Sequence, residues 1–126
     1  MIHLDTAVLI DSLSGPLRSA SDLRSALERG ERILISTIVL YEWLRGPRQH
    51  QELEVQEALF PRATAVPFAT EEASLAAEIY QRLRRPRGRE IDIAIAACAI
   101  TNGASLWTLN GRDFEDIPGL QLYQFT

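Results

Sequence analysis

Four acidic residues stand out because of what surrounds them in this 126-residue chain. Asp5 ends the run Ile2-His3-Leu4, and Glu42 interrupts an apolar stretch between Tyr41 and Trp43. Asp92 lies among Ile91, Ile93, Ala94 and Ile95, and Asp113 follows Asn110-Gly111-Arg112. For Asp92, near the start of the most apolar helix, an unpaired buried carboxylate would cost several kcal/mol, so it must be paired, protonated or bound to a cation. Acids that converge on one site repel one another and raise each other's pKa unless a cation neutralises them. Oxygen-only ligands suit hard Mg2+ or Mn2+ rather than zinc. The two histidines, His3 and His50, have no ligand-like spacing, and Cys98 is the single cysteine. A metal held by two or three carboxylates, with waters retained, carries out phosphoryl-transfer chemistry. Each acid also has a structural reading. Asp5 fits a helix cap, Glu42 a solvent-facing position, and Asp92 a first-turn acid stabilised by the helix dipole. Asn110 to Asp113 fits a tight turn.

These residues can meet only if the fold brings them together. Ile2-His3-Leu4 reads as a short strand that turns into a helix at Asp5-Thr6. Residues 19–29 carry Ala20, Leu23, Ala26 and Leu27 at helical spacing, and Gly30 closes that helix. Ile33-Leu34-Ile35 is a second strand, with Ser36-Thr37 as capping residues for a helix over 38–45 that stops at Gly46-Pro47. A polar helix is expected over 49–59, a short strand over 63–66, and a long helix from Thr70 to about Leu83. Residues 91–100 are apolar nearly all round, the mark of a buried helix. Packing in the core or in a dimer, together with Trp43 and Leu44, would account for that, and core packing is the simpler reading. Ser105-Leu106-Trp107 and residues 120–123 complete the strands. Short apolar strands alternating with helices indicate one α/β domain over residues 1–126 with a mainly parallel sheet. Ligands of such sheets bind beyond the carboxyl ends of the strands, near a topological switch point. Asp5, Asn110 and Asp113 all follow strands.

Every one of the 13 basic residues is arginine. Without lysine there is no Walker-A phosphate loop and no Schiff-base chemistry. The lysine also needed by haloacid-dehalogenase-like phosphatases and receiver domains is absent. Composition bias in the genome accounts for the missing lysines equally well. The formal net charge is −4, and setting aside the four candidate acids brings it to zero. Arg82, Arg84, Arg85, Arg87 and Arg89 fall within eight residues and lead into Asp92. Arginine's planar fork matches phosphate oxygens, so Arg85, Arg87 and Arg89 are candidates for contact with a nucleic-acid backbone. A solvated helix end is the alternative. No stretch approaches the ~20 apolar residues that span a bilayer, and the amino terminus lacks a signal-peptide pattern. A cytoplasmic protein with no membrane association is expected.

The order Leu4-Asp5-Thr6, Ser36 to Glu42 to Gly46, Asp92-Ile93-Ala94-Ile95-Ala96-Ala97 and Thr108-Leu109-Asn110-Gly111-Arg112-Asp113-Phe114 resembles the PIN-domain ribonucleases. Within them, it is most similar to the VapC-type toxins of bacterial toxin–antitoxin operons, over essentially the whole chain. The resemblance implies a three-layer α/β/α fold, a homodimer and Mg2+- or Mn2+-dependent cleavage of RNA. It also implies a VapB-like antitoxin whose tail occupies the active-site groove. By position, Asp5, Glu42 and Asp92 match the family's first three acids and Asp113 the fourth, with Asp5, Asp92 and Asp113 as metal ligands. Thr6 and Thr108 match the small hydroxyl residues of the first and last motifs, and Asn110 stands where some relatives carry another acid. A PIN-like module that binds without turnover is the competing reading.

Overall fold

The computed structural model describes residues 1–124. Strand β1 (Ile2–Leu4) leads through helices α1 (Thr6–Leu13) and α2 (Ala20–Glu28) to β2 (Ile33–Leu34). Helices α3 (Thr37–Arg45), α4 (His50–Leu59), α5 (Thr70–Arg82) and α6 (Glu90–Thr101) follow, before β3 (Ser105–Trp107) and β4 (Gln121–Leu122). Among the described residues the strands form one sheet in the order β2-β1-β3-β4. Every pairing is parallel: Ile2 aligns with Ile33 and Ser105, and Leu4 with Trp107.

Strand order fixes the layers. The chain moves from β1 outward to β2, then back across β1 to β3 and on to β4. Right-handed crossovers in opposite directions lay their helices on opposite faces of the sheet, giving the expected three-layer α/β/α arrangement. Both faces of β1 are therefore covered, and Ile2, His3 and Leu4 are all buried. The direction reverses between β1 and β3, so the switch-point crevice opens beyond Leu4 and Trp107, where Asp5 and Thr108 stand.

Local signals set most boundaries. The Ser36 hydroxyl accepts from the Val39 N–H at 3.2 Å and caps α3. Gly30 and Gly103 adopt positive φ just past α2 and α6, a conformation that glycine takes without steric cost. In α6, residues Ile93 through Ala99 are buried. The helix packs against α5, α3 and β3, and alanines let it come close.

One expected element differs. Residues 63–66 do not form a strand; Arg62–Thr64 is a 3-10 turn, and only Val66 bridges to the sheet edge, beside Ser36. Pro61 and Pro67 flank this stretch, fixing two backbone angles and removing two N–H donors that a ladder would need. The last strand is also shorter than the apolar run implied, confined to Gln121–Leu122. No helix is long and apolar enough to cross a membrane among the described residues.

Ala96 is fully buried against this framework. Ala96→Leu should lower the unfolding free energy by about 1–3 kcal/mol through overpacking. The urea midpoint would fall with little change in slope.

Candidate active site

Asp5 follows β1 directly, and its N–H donates to the Trp107 carbonyl at 2.9 Å, extending the β1–β3 ladder by one residue. Its backbone is extended while the next residue is helical, so it forms the N-cap of α1. The cap reading and the site reading are thus both satisfied by one residue. Oδ1 accepts from the Thr6 N–H at 2.9 Å, and Oδ2 accepts from the Thr108 hydroxyl at 2.8 Å. Asp5 is 6% exposed. Burial pushes its carboxyl above the usual range, those two hydrogen bonds pull it back, and the charges of Glu42 and Asp113 push it up further.

Glu42 projects from α3 and is not solvent-facing. Its Oε1 accepts from the Thr6 hydroxyl at 2.5 Å, and its Oε2 pairs with Arg45 at 3.2 Å. Thr6 therefore joins the first two acids, with its N–H on Asp5 and its hydroxyl on Glu42.

Asp92 lies in the first turn of α6 and is partly exposed. Although its helix is apolar, Asp92 is less buried than Asp5. The Asp92 carboxyl is nevertheless raised to about 6. Burial is the largest cause, followed by the charges of Asp5, Asp113 and Glu42, with Arg89 opposing. Asp113 sits exposed on the 3-10 turn Gly111–Asp113, close enough to act on both Asp5 and Asp92. Asn110 precedes it: its N–H donates to the Thr108 hydroxyl at 3.0 Å, and its carbonyl accepts from the Asp113 N–H at 3.0 Å. Thr108 thus ties the last loop to Asp5.

The arginines sort differently from the expectation. Arg89 grips both oxygens of Asp116, at 2.6 and 3.0 Å, and also donates to the Asp113 carbonyl at 2.8 Å. That fork is occupied within the protein and braces the Asp113 loop against the start of α6. Arg84, Arg85 and Arg112 line a cleft beside Asp113 and Asp116, together with Arg89, whereas Arg87 does not. Sequence reasoning gave Asp116 and Arg112 no role. A pair 27 residues apart leaves no local signal, and Arg112 looks like a turn residue.

Asp5, Glu42, Asp92 and Asp113 thus come from four distant segments to one edge of the sheet. All their donor atoms are oxygens. Among the described residues no three His, Cys, Asp or Glu side chains already close around a point. The fit to an ion therefore rests on chemistry: clustered carboxylate oxygens are the donors that Mg2+ takes.

The sequence profile described as PIN domain matches residues 2–120. Ribonuclease VapC19 of Mycobacterium tuberculosis is 34% identical over 120 residues, covering 94% of this chain and 95% of the relative. Ribonuclease VapC1 of Rickettsia felis is 38% identical over 120 residues, covering 77% of this chain and 87% of its own. The crystal structure of DNA-bound VapBC from Salmonella typhimurium superposes with a TM-score of 0.77 at 26% identity, covering 97% of this chain and 96% of that one. The chain belongs to the PIN-domain family, on its VapC branch.

A carboxylate whose pKa is raised in the fold destabilises it above that pKa, and the penalty fades as the group takes up its proton. Metal-free Asp92→Asn should therefore melt higher than the wild type at pH 7.5. The advantage should shrink as pH falls through about 6. Buried His3, lowered to about 4, loses stability over the same acid range in both proteins and cancels in the comparison. Melting curves in EDTA at pH 5 to 8 would show an equal gap throughout if Asp92 were unperturbed.

Proposed function

We propose that this protein is a Mg2+- or Mn2+-dependent endoribonuclease, the toxin of a VapBC-type pair, held in check by a VapB-like antitoxin. The observation that carries this reading is the gathering of Asp5, Glu42, Asp92 and Asp113 at the switch point of a parallel sheet, with Asp92 raised to about 6 by burial first and by the charges of its neighbours second. The names of the relatives support RNA as substrate, and the toxin–antitoxin assemblies among its structural neighbours support the partner. A homodimer acting in the cytoplasm completes the proposal.

Asp5, Asp92 and Asp113 would hold the ion, with Glu42 beside them. Once bound, it would lower the pKa of a water and offset charge building on the phosphorus. The chain's own residues then do the rest. Thr108 and the Thr6 N–H fix both oxygens of Asp5, so the most buried acid cannot swing away. The Thr6 hydroxyl and Arg45 orient Glu42. A carboxylate of the cluster accepts the proton as the water oxygen attacks phosphorus. The P–O bond to the leaving nucleotide breaks, and the departing oxygen takes up a proton.

Purified protein incubated with structured RNA should cleave it in Mg2+ or Mn2+ and stop on adding EDTA. Asp92→Asn should lose at least ~100-fold in rate, within the range expected for a charge-placing or proton-accepting group. Cleavage that persists in EDTA, or equals wild type in the variant, would overturn the metal-carboxylate reading. RNA bound but never cut would favour a binding module.

A further inference from the structure

Beside the acid cluster, residues 84–89 and 112–116 face each other across a cleft of about 600 Å³. Four arginines and two aspartates line it: Arg84, Arg85, Arg89, Arg112, Asp113 and Asp116. Arg89 and Asp116 cancel each other in their two-pronged pair. What remains is three positive charges against Asp113 alone. Among the described residues, the guanidinium groups of Arg84, Arg85 and Arg112 make no hydrogen bond or ion pair, and all three are exposed.

A solvated helix end explains only part of this. Arg84 and Arg85 follow the carboxyl end of α5, where positive charge suits the helix dipole. Arg112 comes from a turn some 27 residues further on and owes nothing to that dipole. The strut between Arg89 and Asp116 holds both walls in place, so like charges share one cleft in a chain of net charge −4. That arrangement leaves the cleft poised for anions. It adjoins Asp113, so whatever lies in it also lies beside the acids.

Resting on the ribonuclease reading, we propose that this cleft seats the RNA strand flanking the cleaved bond, with Arg84, Arg85 and Arg112 on phosphodiester oxygens and the Arg89–Asp116 pair as its internal strut. An RNA strand approaching four carboxylates is repelled by them, and three arginines beside the site offset that repulsion. At about 600 Å³ the cleft lies within the range of ligand pockets, about 300 to 1,000 Å³. Arginine's planar fork matches the phosphate. The contacts are to backbone and would be blind to base identity.

Salt dependence tests this directly. A fluorescently labelled single-stranded RNA oligonucleotide would be bound to wild type and to Arg84→Ala/Arg85→Ala/Arg112→Ala over a range of salt. Anisotropy would be read in EDTA and again in Ca2+. Each lost phosphate contact on a single strand flattens the log–log salt slope by about 0.7, so the triple variant should lose about 2 in slope. At low salt its affinity should fall at least ~10-fold. Arg18→Ala/Arg24→Ala/Arg32→Ala removes the same charge elsewhere and should change the slope little. Lysine at the three cleft positions should restore most of the slope, which a merely misfolded variant would not do.

Equal slopes in the cleft and control variants would overturn the proposal, as would a wild type without affinity for the RNA in either condition. A poly-glutamate peptide that displaces the RNA from the cleft at lower concentration than unlabelled RNA would reassign it to an acidic protein partner. The cleavage assay run in parallel separates the two readings. Cutting with an unchanged slope removes the cleft alone, whereas slope loss without any cutting removes the nuclease and keeps the cleft.

Discussion

The pairing of β1 with β3 is the contact on which the rest of the molecule hangs. Residues 2–4 align with residues 105–107, and the Asp5 N–H carries the ladder one step further to Trp107. That extra step sets Asp5 beside Thr108, 103 positions later in the chain. Helix α1 starts from Asp5 as its cap, α6 runs into β3, and the loop holding Asp113 leaves from it. Moving the register by one residue would turn Asp5 to the opposite face of the strand. The hydrogen bond from Thr108 would go with it.

Holding like charges together is the second constraint, and the fold meets it unevenly. Asp5 has two hydrogen bonds to offset its burial, and Glu42 has the Thr6 hydroxyl and Arg45. Among the described residues Asp92 accepts none, so burial first, and then the charges of Asp5, Asp113 and Glu42, act on it without relief from a hydrogen bond. Arg89 could have relieved Asp92 as a free cation. Instead its fork is spent on Asp116 and the Asp113 carbonyl, and it counters Asp92 only at a distance. Among the described residues the Asp113 carboxylate accepts none either but is exposed, which leaves Asp92 as the partly buried acid most in need of a ligand from outside.

Much of this was legible in the residues. Strand and helix order followed from apolar spacing and from punctuation such as Gly30, Ser36 and Asn102-Gly103, because those signals are local. Asp5, Glu42 and Asp92 were visible for the same reason, each being out of keeping with its neighbours, whereas Asp113 in its polar turn was marked only by the family resemblance. Pairings between distant segments were hidden. Nothing near Thr6 announces Glu42, and nothing in residues 84–89 announces Asp116, so Arg89 looked like a free phosphate ligand when it is a brace. The stretch 63–66 departs from the expected strand because the two flanking prolines remove donors that a ladder needs. Helix composition reports the environment of the helix as a whole, so the partial exposure of Asp92 in its first turn was not legible.

The order of strands in the sheet has a consequence for how the molecule comes into being. β1 emerges first, yet one of its two neighbours, β3, is among the last segments made. A growing chain that has reached α5 has Asp5 and Glu42 but neither Asp92 nor Asp113, and one edge of β1 still lacks its partner. An unfinished or truncated copy therefore has no assembled site. Whatever chemistry the four acids support is thus a property of the closed sheet, and no run of consecutive residues carries it alone.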